Sequence, residues 1–84
     1  MKHDYFTTYD LNLSTTLVAL GFTLEKISKK GQARGLFCFK KHPELLPTID
    51  RYYKNQLSIT PKQLFDSLKA IKNRLYSNVE ELDQ

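Results

Sequence analysis

The chain has 84 residues, of which 40% are hydrophobic and 26% charged, and its 13 lysines and arginines outnumber its 9 aspartates and glutamates. This length predicts one domain over residues 1–84, with an ordered core at about 5–78 and an acidic tail at 79–84, and disfavours a deep cleft between lobes. No apolar run approaches the ~18–20 residues that span a bilayer, and the start of the chain lacks a signal-peptide pattern. The single cysteine, Cys38, excludes an internal disulfide and suits a reducing compartment. We therefore expect a cytoplasmic protein without a membrane partner.

The first quarter of the chain predicts a strand followed by a capped helix. Residues 5–9 are aromatic and β-branched, which is typical of a short strand. Asp10 suits a helix N-cap, because its carboxylate can accept from the first free backbone N–H groups. Leucines at helical spacing then predict a helix over 11–20, and Gly21 supplies the left-handed residue that ends it.

The next segment predicts an antiparallel hairpin. Residues 22–29 and 35–41 are the two strands, joined by a basic, glycine-containing loop. Leu24 and Ile27 fall out of the period-two phase, which predicts a β-bulge between them. Residues 36–39 are apolar on both faces, so we expect this strand in the centre of a sheet, between 5–9 and 22–29.

Two helices complete the pattern. Pro47 belongs in a first turn, so the first of these helices is predicted over about 47–56, after a looser turn from Pro43. Thr60, Pro61 and Gln63 form a capping-box pattern that starts a helix from 61 to about 77. The predicted fold is therefore α+β, a small three-stranded antiparallel sheet with helices on one face, in the order β-α-β-β-α-α. The apolar stripe predicted for the last helix is Leu64, Phe65, Leu68, Ile71, Leu75, Tyr76 and Val79.

Residue patterns for catalysis or cofactor binding are missing from the sequence. His3 and His42 have no Cys, Asp or Glu around them at ligand spacing, so we expect no metal. Cys38 lies in an apolar strand, where an inert thiol is typical. Gly31 and Gly35 join two strands instead of a strand and a helix, which excludes a phosphate-binding P-loop. We expect a protein that is not an enzyme and has no cofactor.

The hairpin is the first candidate binding surface. Residues 25–42 contain six bases and one acid, and such a field attracts nucleic acid, anionic lipid or an acidic protein face. Phe37 and Phe39 lie on one face of the strand. They either stack on bases of a single strand or contribute to the core, in which case the cations hold only the phosphate backbone. The candidate contact residues here are Lys26, Lys29, Lys30, Arg34, Lys40 and Lys41.

The helices offer a second candidate surface. Arg51, Tyr53 and Lys54 cluster at the end of the first of the two helices, where only one of two adjacent tyrosines can point inward. The last helix has an exposed basic side that is typical of an ordinary solvated helix face. A helix-turn-helix is a further alternative, although the joint at 57–59 lacks the usual glycine turn.

Several of these motifs together resemble a small uncharacterised domain family of short proteins from bacteria, phages and mobile elements. The resemblance covers about residues 5–76 and implies an accessory protein of a phage or mobile element, with no established activity and no catalytic residue to transfer. Lys40 and Lys41 depart from the acidic or mixed residues expected after the aromatic strand. The residues that carry the resemblance are the run 8–13, Leu17, Gly21, the strand 36–39, Tyr52, Tyr53, Pro61, Leu64, Phe65, Leu68 and Leu75.

These observations favour a non-catalytic nucleic-acid-binding accessory protein that contacts the phosphate backbone through the basic hairpin. The alternative is a small protein–protein interaction module, an inhibitor or adaptor, whose basic face docks on an acidic partner. A homodimer, paired through the strand at 5–9 or at 22–29, is a third hypothesis.

Overall fold

The computed structural model describes residues 5–29 and 35–82, with side chains up to Tyr76. The basic loop predicted between the two hairpin strands lies outside the described residues. The element order confirms the predicted α+β fold. The elements are β1 (Tyr5–Thr8), α1 (Leu11–Ala19), β2 (Leu24–Ser28), β3 (Leu36–Lys40), α2 (Leu45–Tyr53) and α3 (Pro61–Leu82).

The sheet has β3 at its centre, as predicted, with the order β1-β3-β2 and antiparallel pairing on both sides. The predicted bulge is also confirmed, because the register of β2 shifts between Leu24 and Lys26. The shift sets Leu24 opposite Phe39 and Ile27 opposite Phe37. Both aliphatic side chains of β2 therefore reach the same buried face, even though they are three residues apart.

Phe37 and Phe39 belong to the core. Their side chains are 2% and 0% exposed, which excludes base stacking by either ring. They pack with residues from all three helices, so the helices cover one face of the sheet. The buried helix residues in this cluster are Leu13 and Leu17 of α1, Leu45 of α2 and Ile71 of α3.

Both ends of α1 form as predicted. The Leu13 N–H donates to Asp10 Oδ1 at 3.1 Å, which satisfies a free amide of the first turn. Gly21 has φ of 99°, and its N–H donates to the Val18 carbonyl at 3.0 Å. The Phe22 N–H donates to the Leu17 carbonyl, also at 3.0 Å. These two bonds form a Schellman motif, which turns the chain towards β2.

Helix α2 starts two residues earlier and ends three residues earlier than the predicted 47–56. Pro47 is still in the first turn, where its missing N–H costs nothing. The earlier end is due to Asn55, which has φ of 58°. Its N–H donates to the Tyr52 carbonyl at 3.1 Å, and the Gln56 N–H donates to the Arg51 carbonyl at 2.9 Å. Asn55 thus has the terminating role that Gly21 has in α1.

Helix α3 begins with the predicted capping box. The Gln63 N–H donates to Thr60 Oγ1 at 3.2 Å, and the Thr60 N–H donates to Gln63 Oε1 at 3.4 Å. The helix continues to Leu82, beyond the predicted end near 77. The assignment of Phe65 and Tyr76 to the apolar core stripe is wrong, because they are 63% and 60% exposed. A helix of 22 residues is about 33 Å long, whereas a five-residue strand covers about 17 Å. Helix α3 therefore extends beyond the sheet that it covers.

Candidate functional site

The face of the sheet opposite the helices carries the candidate site. Alternation along each strand turns Tyr5, Thr7 and Cys38 to this side, because Phe6 and Phe39 face the core. Thr7 of β1 pairs with Cys38, and Cys38 pairs with Lys26 across the bulge. We call this surface the open face and define it by Tyr5, Thr7, Glu25, Lys26, Cys38 and Lys40.

The open face contains a shallow depression of about 560 Å³. Cys38 is buried and Tyr5 is 49% exposed, and both line this depression. Tyr5 is paired with Lys40 in the register of β1 and β3. An aromatic ring and an exposed cation therefore lie side by side on a surface that can be reached by a flat ligand.

The lysines of the open face are free to bind anions. Within the described residues, neither Lys26 nor Lys40 takes part in an ion pair. Strand spacing and rise place their Cα atoms roughly 8 Å apart. The bulge sets Glu25 next to Lys26 and leaves both exposed, so this edge of the face has mixed charge, whereas the Lys40 end is cationic.

A second depression, of about 470 Å³, continues beyond Lys40 at the end of β3. Its lining includes Lys40, Lys41 and His42 together with Phe22 and the acidic Glu44. The rings of Phe22 and His42 meet edge to face, with centroids 5.8 Å apart. The Glu44 N–H donates to His42 Nδ1 at 3.0 Å, so a neutral His42 carries its proton on Nε2. Lys40 is common to both surfaces, which makes the cationic end of the sheet continuous.

The predicted hairpin residues are spread along the sheet instead of clustering at its tip. Lys40 and Lys41 lie at the end of β3, and Lys26 lies near the middle of β2. Lys29 follows β2 at the opposite end of the sheet and is half-buried. Lys30 and Arg34 lie outside the described residues.

The three candidates on α2 are not brought to the open face. Helix α2 packs on the core side of the sheet, through Leu45 among others. Arg51 Nη2 donates to Thr48 Oγ1 at 3.5 Å, and Lys54 Nζ forms an ion pair with Asp50 at 3.0 Å. Tyr53 is 64% exposed. These residues form a separate surface, and each of the three has a contact within α2.

Tyr52, the inward-facing neighbour of Tyr53, links α2 to α1. The two rings meet edge to face, with centroids 5.1 Å apart. Partial burial raises the pKa of Tyr52 above its ordinary value, and the nearby Asp10 carboxylate and Tyr53 raise it further. The N-cap of α1 therefore lies close to the end of α2, on the core side and away from the open face.

Sequence reasoning missed two residues that shape the open face. In the sequence, Tyr5 contributes only to the prediction of a strand over residues 5–9. Its alternation with the apolar Phe6, however, indicates that its side chain points outward. Arg74 of α3 donates from Nη1 to the Leu24 carbonyl at 2.8 Å and from Nη2 to the Glu25 carbonyl at 3.3 Å. It holds the bulge that exposes Lys26. No local pattern could indicate this contact, since about fifty residues separate the partners.

The described part of the chain contains neither a cluster of metal ligands nor a membrane-spanning helix. Among residues 5–29 and 35–82, no three His, Cys, Asp or Glu side chains come together as metal ligands. No helix in the same ranges has the length and apolar character needed to cross a membrane.

Comparison with known proteins identifies a family without an assigned activity. No curated protein and no solved structure matches the chain. The model of a family described as a domain of unknown function, DUF5659, matches residues 3–77. The match runs from β1 into α3 and confirms that the family is an uncharacterised one. The chain belongs to the DUF5659 family.

Proposed function

We propose that this protein is a non-catalytic, cytoplasmic accessory protein of a phage or mobile element, and that it binds single-stranded nucleic acid across the open face. One observation is the main support for the proposal: Tyr5, half exposed, is paired with the exposed Lys40 on the sheet face that the three helices leave uncovered. Rings beside cations on a sheet are a common way to hold a single strand, because the ring stacks on a base and the cation contacts the phosphate.

The cations supply most of the binding energy in this proposal. Lys26, Lys40 and Lys41 lie along the open face and its continuation at the end of β3. Each phosphate contact releases a counterion, so binding weakens as the salt concentration rises. Lys29 adds a further cation at the opposite end of the sheet, just after β2.

The ring of Tyr5 favours a single strand over a duplex. Bases in a duplex are stacked on one another, whereas an extended strand can turn a base onto an exposed ring. Since Phe37 and Phe39 are in the core, Tyr5 replaces them as the stacking residue of the sheet. The lysines contact phosphate groups, which are the same in every nucleotide, so we expect weak sequence preference.

Fluorescence anisotropy with labelled oligonucleotides of one sequence, single-stranded and double-stranded, DNA and RNA, tests the proposal. We expect salt-sensitive binding with a preference for single strands. Tyr5→Ala should weaken single-strand binding by roughly 5-fold to 100-fold, the loss of one stacked base. Tyr53→Ala is the matched control, because Tyr53 is at least as exposed but lies on α2. It should leave the affinity unchanged.

Three results would count against the open face. Salt-insensitive binding, or none, would remove nucleic acid as the ligand and favour the protein–protein alternative. Tighter binding of duplex than of single strand would contradict the stacking role of Tyr5. Equal losses of oligonucleotide affinity in Tyr5→Ala and Tyr53→Ala, with unchanged melting temperatures, would show that the binding site is not specific to the open face.

A further inference from the structure

The outer side of α3 carries two large aromatic rings that the fold does not bury. Phe65 and Tyr76 are 63% and 60% exposed. Lys69 and Lys72 lie between them, also exposed, and the spacings of four, three and four residues put all four on one helix face. We call Phe65, Lys69, Lys72 and Tyr76 the α3 ridge.

The ridge points away from the core. Helix α3 reaches the core through Ile71, which is 1% exposed, and through the partly buried Leu75. One residue advances about 100° around a helix, so Tyr76 is turned well away from Leu75. Neither ring therefore contributes to the main cluster, and both are accessible to another molecule.

The charge of the ridge is uncompensated. Among the described side chains, Lys69 and Lys72 have no carboxylate partner, in contrast to Lys62, which pairs with Asp66 at 2.9 Å. A lysine stem four residues from an aromatic ring packs along it and leaves the ammonium group free. Phe65 with Lys69 and Lys72 with Tyr76 have this spacing. The ridge is thus a narrow apolar strip that carries two free positive charges.

We propose that the α3 ridge docks an acidic amphipathic helix of a partner protein. Phe65 and Tyr76 are three turns apart, about 16.5 Å, a distance over which two helices crossing at a shallow angle remain in contact. The rings act as anchors at the two ends, and carboxylates of the partner pair with Lys69 and Lys72 between them. A second copy of the same ridge is a poor occupant, because it would bring lysine against lysine.

This inference is independent of nucleic-acid binding, since it concerns the opposite layer of the molecule. A yeast-displayed library of helical peptides, selected against the full chain, provides the probe. We expect the selected peptides to carry an excess of Glu and Asp between two apolar positions. Phe65→Ser and Tyr76→Ser should each weaken their binding roughly tenfold or more. Tyr53→Ser, the matched change on α2, should not.

A charge exchange tests the role of the lysines. The double variant Lys69→Glu and Lys72→Glu should lose the acidic peptides and bind versions in which their acids are replaced by lysine. Lys26→Glu on the open face is the control and should keep the original preference. Because all of these side chains are exposed, unchanged melting temperatures are expected and confirm that folding is intact.

Several outcomes would overturn the inference. One is a selection that yields no binder, or binders without an acidic excess. Another is a peptide affinity that the charge exchange does not affect. Loss of oligonucleotide or anionic-vesicle binding in the double variant would assign the ridge to those ligands instead. Self-association by light scattering that Tyr76→Ser abolishes would assign it to a second copy.

Discussion

Gly35 occupies a position at the start of β3 where the fold leaves no room for a side chain. A Cβ atom there would lie 2.9 Å from Ile27 Cγ2 and 3.0 Å from Leu75 Cδ1. We expect Gly35→Ala to lower the free energy of unfolding by about 1–3 kcal/mol, the usual cost of overpacking, as measured by urea denaturation. Because Cγ2 is bonded to the stiff, branched Cβ of isoleucine, it cannot simply rotate away.

Combining Gly35→Ala with Ile27→Leu tests whether Ile27 Cγ2 causes this clash. Leucine has no Cγ2 methyl group, but its side chain has about the same volume as that of isoleucine. Gly35→Ala should cost less in the Ile27→Leu background than in the original chain. Gly21 supplies the contrast, because its Cβ would meet nothing within 4 Å, although its φ of 99° is strained for alanine. Gly21→Ala should be additive with Ile27→Leu. Additivity for both glycines would refute the steric explanation.

Ser14 of α1 is a buried polar residue that the fold does not satisfy. Its Oγ is fully buried and has no hydrogen-bond partner among the described residues, whereas the neighbouring Thr15 Oγ1 donates to the Leu11 carbonyl at 2.8 Å. Ser14→Ala should therefore raise the free energy of unfolding by about 1 kcal/mol, since it removes an unpaired hydroxyl and favours the helix.

Thr15→Val is the matched change, because it removes a hydroxyl that is bonded and keeps the shape. It should lower stability in the same urea titration. A loss of stability in Ser14→Ala would show that this hydroxyl does find a partner in solution, such as a buried water.

Helix α3 contacts the bulge of β2 directly beside Lys26. The guanidinium of Arg74 donates to two successive carbonyls, those of Leu24 and Glu25. We expect Arg74→Ala to cost about 1–2 kcal/mol in urea denaturation, because a charged donor to a carbonyl is worth more than a neutral one, less the screening at an exposed site.

Arg74→Lys should recover only part of this loss, since an ammonium group cannot match the two-pronged geometry. Amide hydrogen exchange should show faster exchange at Lys26 and Ile27 in Arg74→Ala. Lys72→Ala, two residues away and facing outward, is the control. Equal effects of the Arg74 and Lys72 changes would indicate lost helix charge and not a lost contact.

Local signals explain most of what the sequence predicted about the elements. The Asp10 cap, the Thr60–Gln63 box and the phase slip between Leu24 and Ile27 all depend on neighbours within a few residues. Asn55 escaped prediction because asparagine adopts positive φ only where the surrounding chain requires it. Phe65 follows the half-buried Leu64 and Tyr76 follows Leu75, which packs on the core, so a rotation of about 100° per residue could have placed both rings outside the stripe.

The candidate site was less predictable than the fold because it depends on contacts across the sheet. The choice between core and surface for Phe37 and Phe39 rests on which face the helices cover, and the strand itself is apolar on both faces. Tyr5 becomes a neighbour of Lys40 only through a pairing of strands more than thirty residues apart. Charge counting found the lysines, but only the register shows which of them share a surface.

At the scale of the whole molecule, the sheet and the helix layer present different surfaces. The open face combines one ring with lysines along two strands, whereas the α3 ridge combines two rings with lysines on one helix. Exposed lysines therefore lie on two opposite sides of the molecule. On the open face, salt dependence can separate the role of the lysines from that of Tyr5, because a phosphate contact and a stacked ring respond differently to ionic strength.

Single-strand binding on the open face should lose affinity linearly in a plot of log K against log salt concentration. Contacts from Lys26, Lys40 and Lys41 predict a slope of about −2, at about −0.7 for each phosphate. Lys40→Ala should reduce the magnitude of the slope by about 0.7. Tyr5→Ala should lower the affinity at every salt concentration and leave the slope unchanged, since stacking releases no counterion.

Lys69→Ala is the control, because it removes the same charge from α3, on the other side of the molecule. It should alter neither the slope nor the affinity. A slope that falls equally for Lys40→Ala and Lys69→Ala would mean that the strand responds to net charge and not to the open face. A slope that changes with Tyr5→Ala would show that the ring positions the phosphates as well as a base, because losing it would then release a phosphate contact.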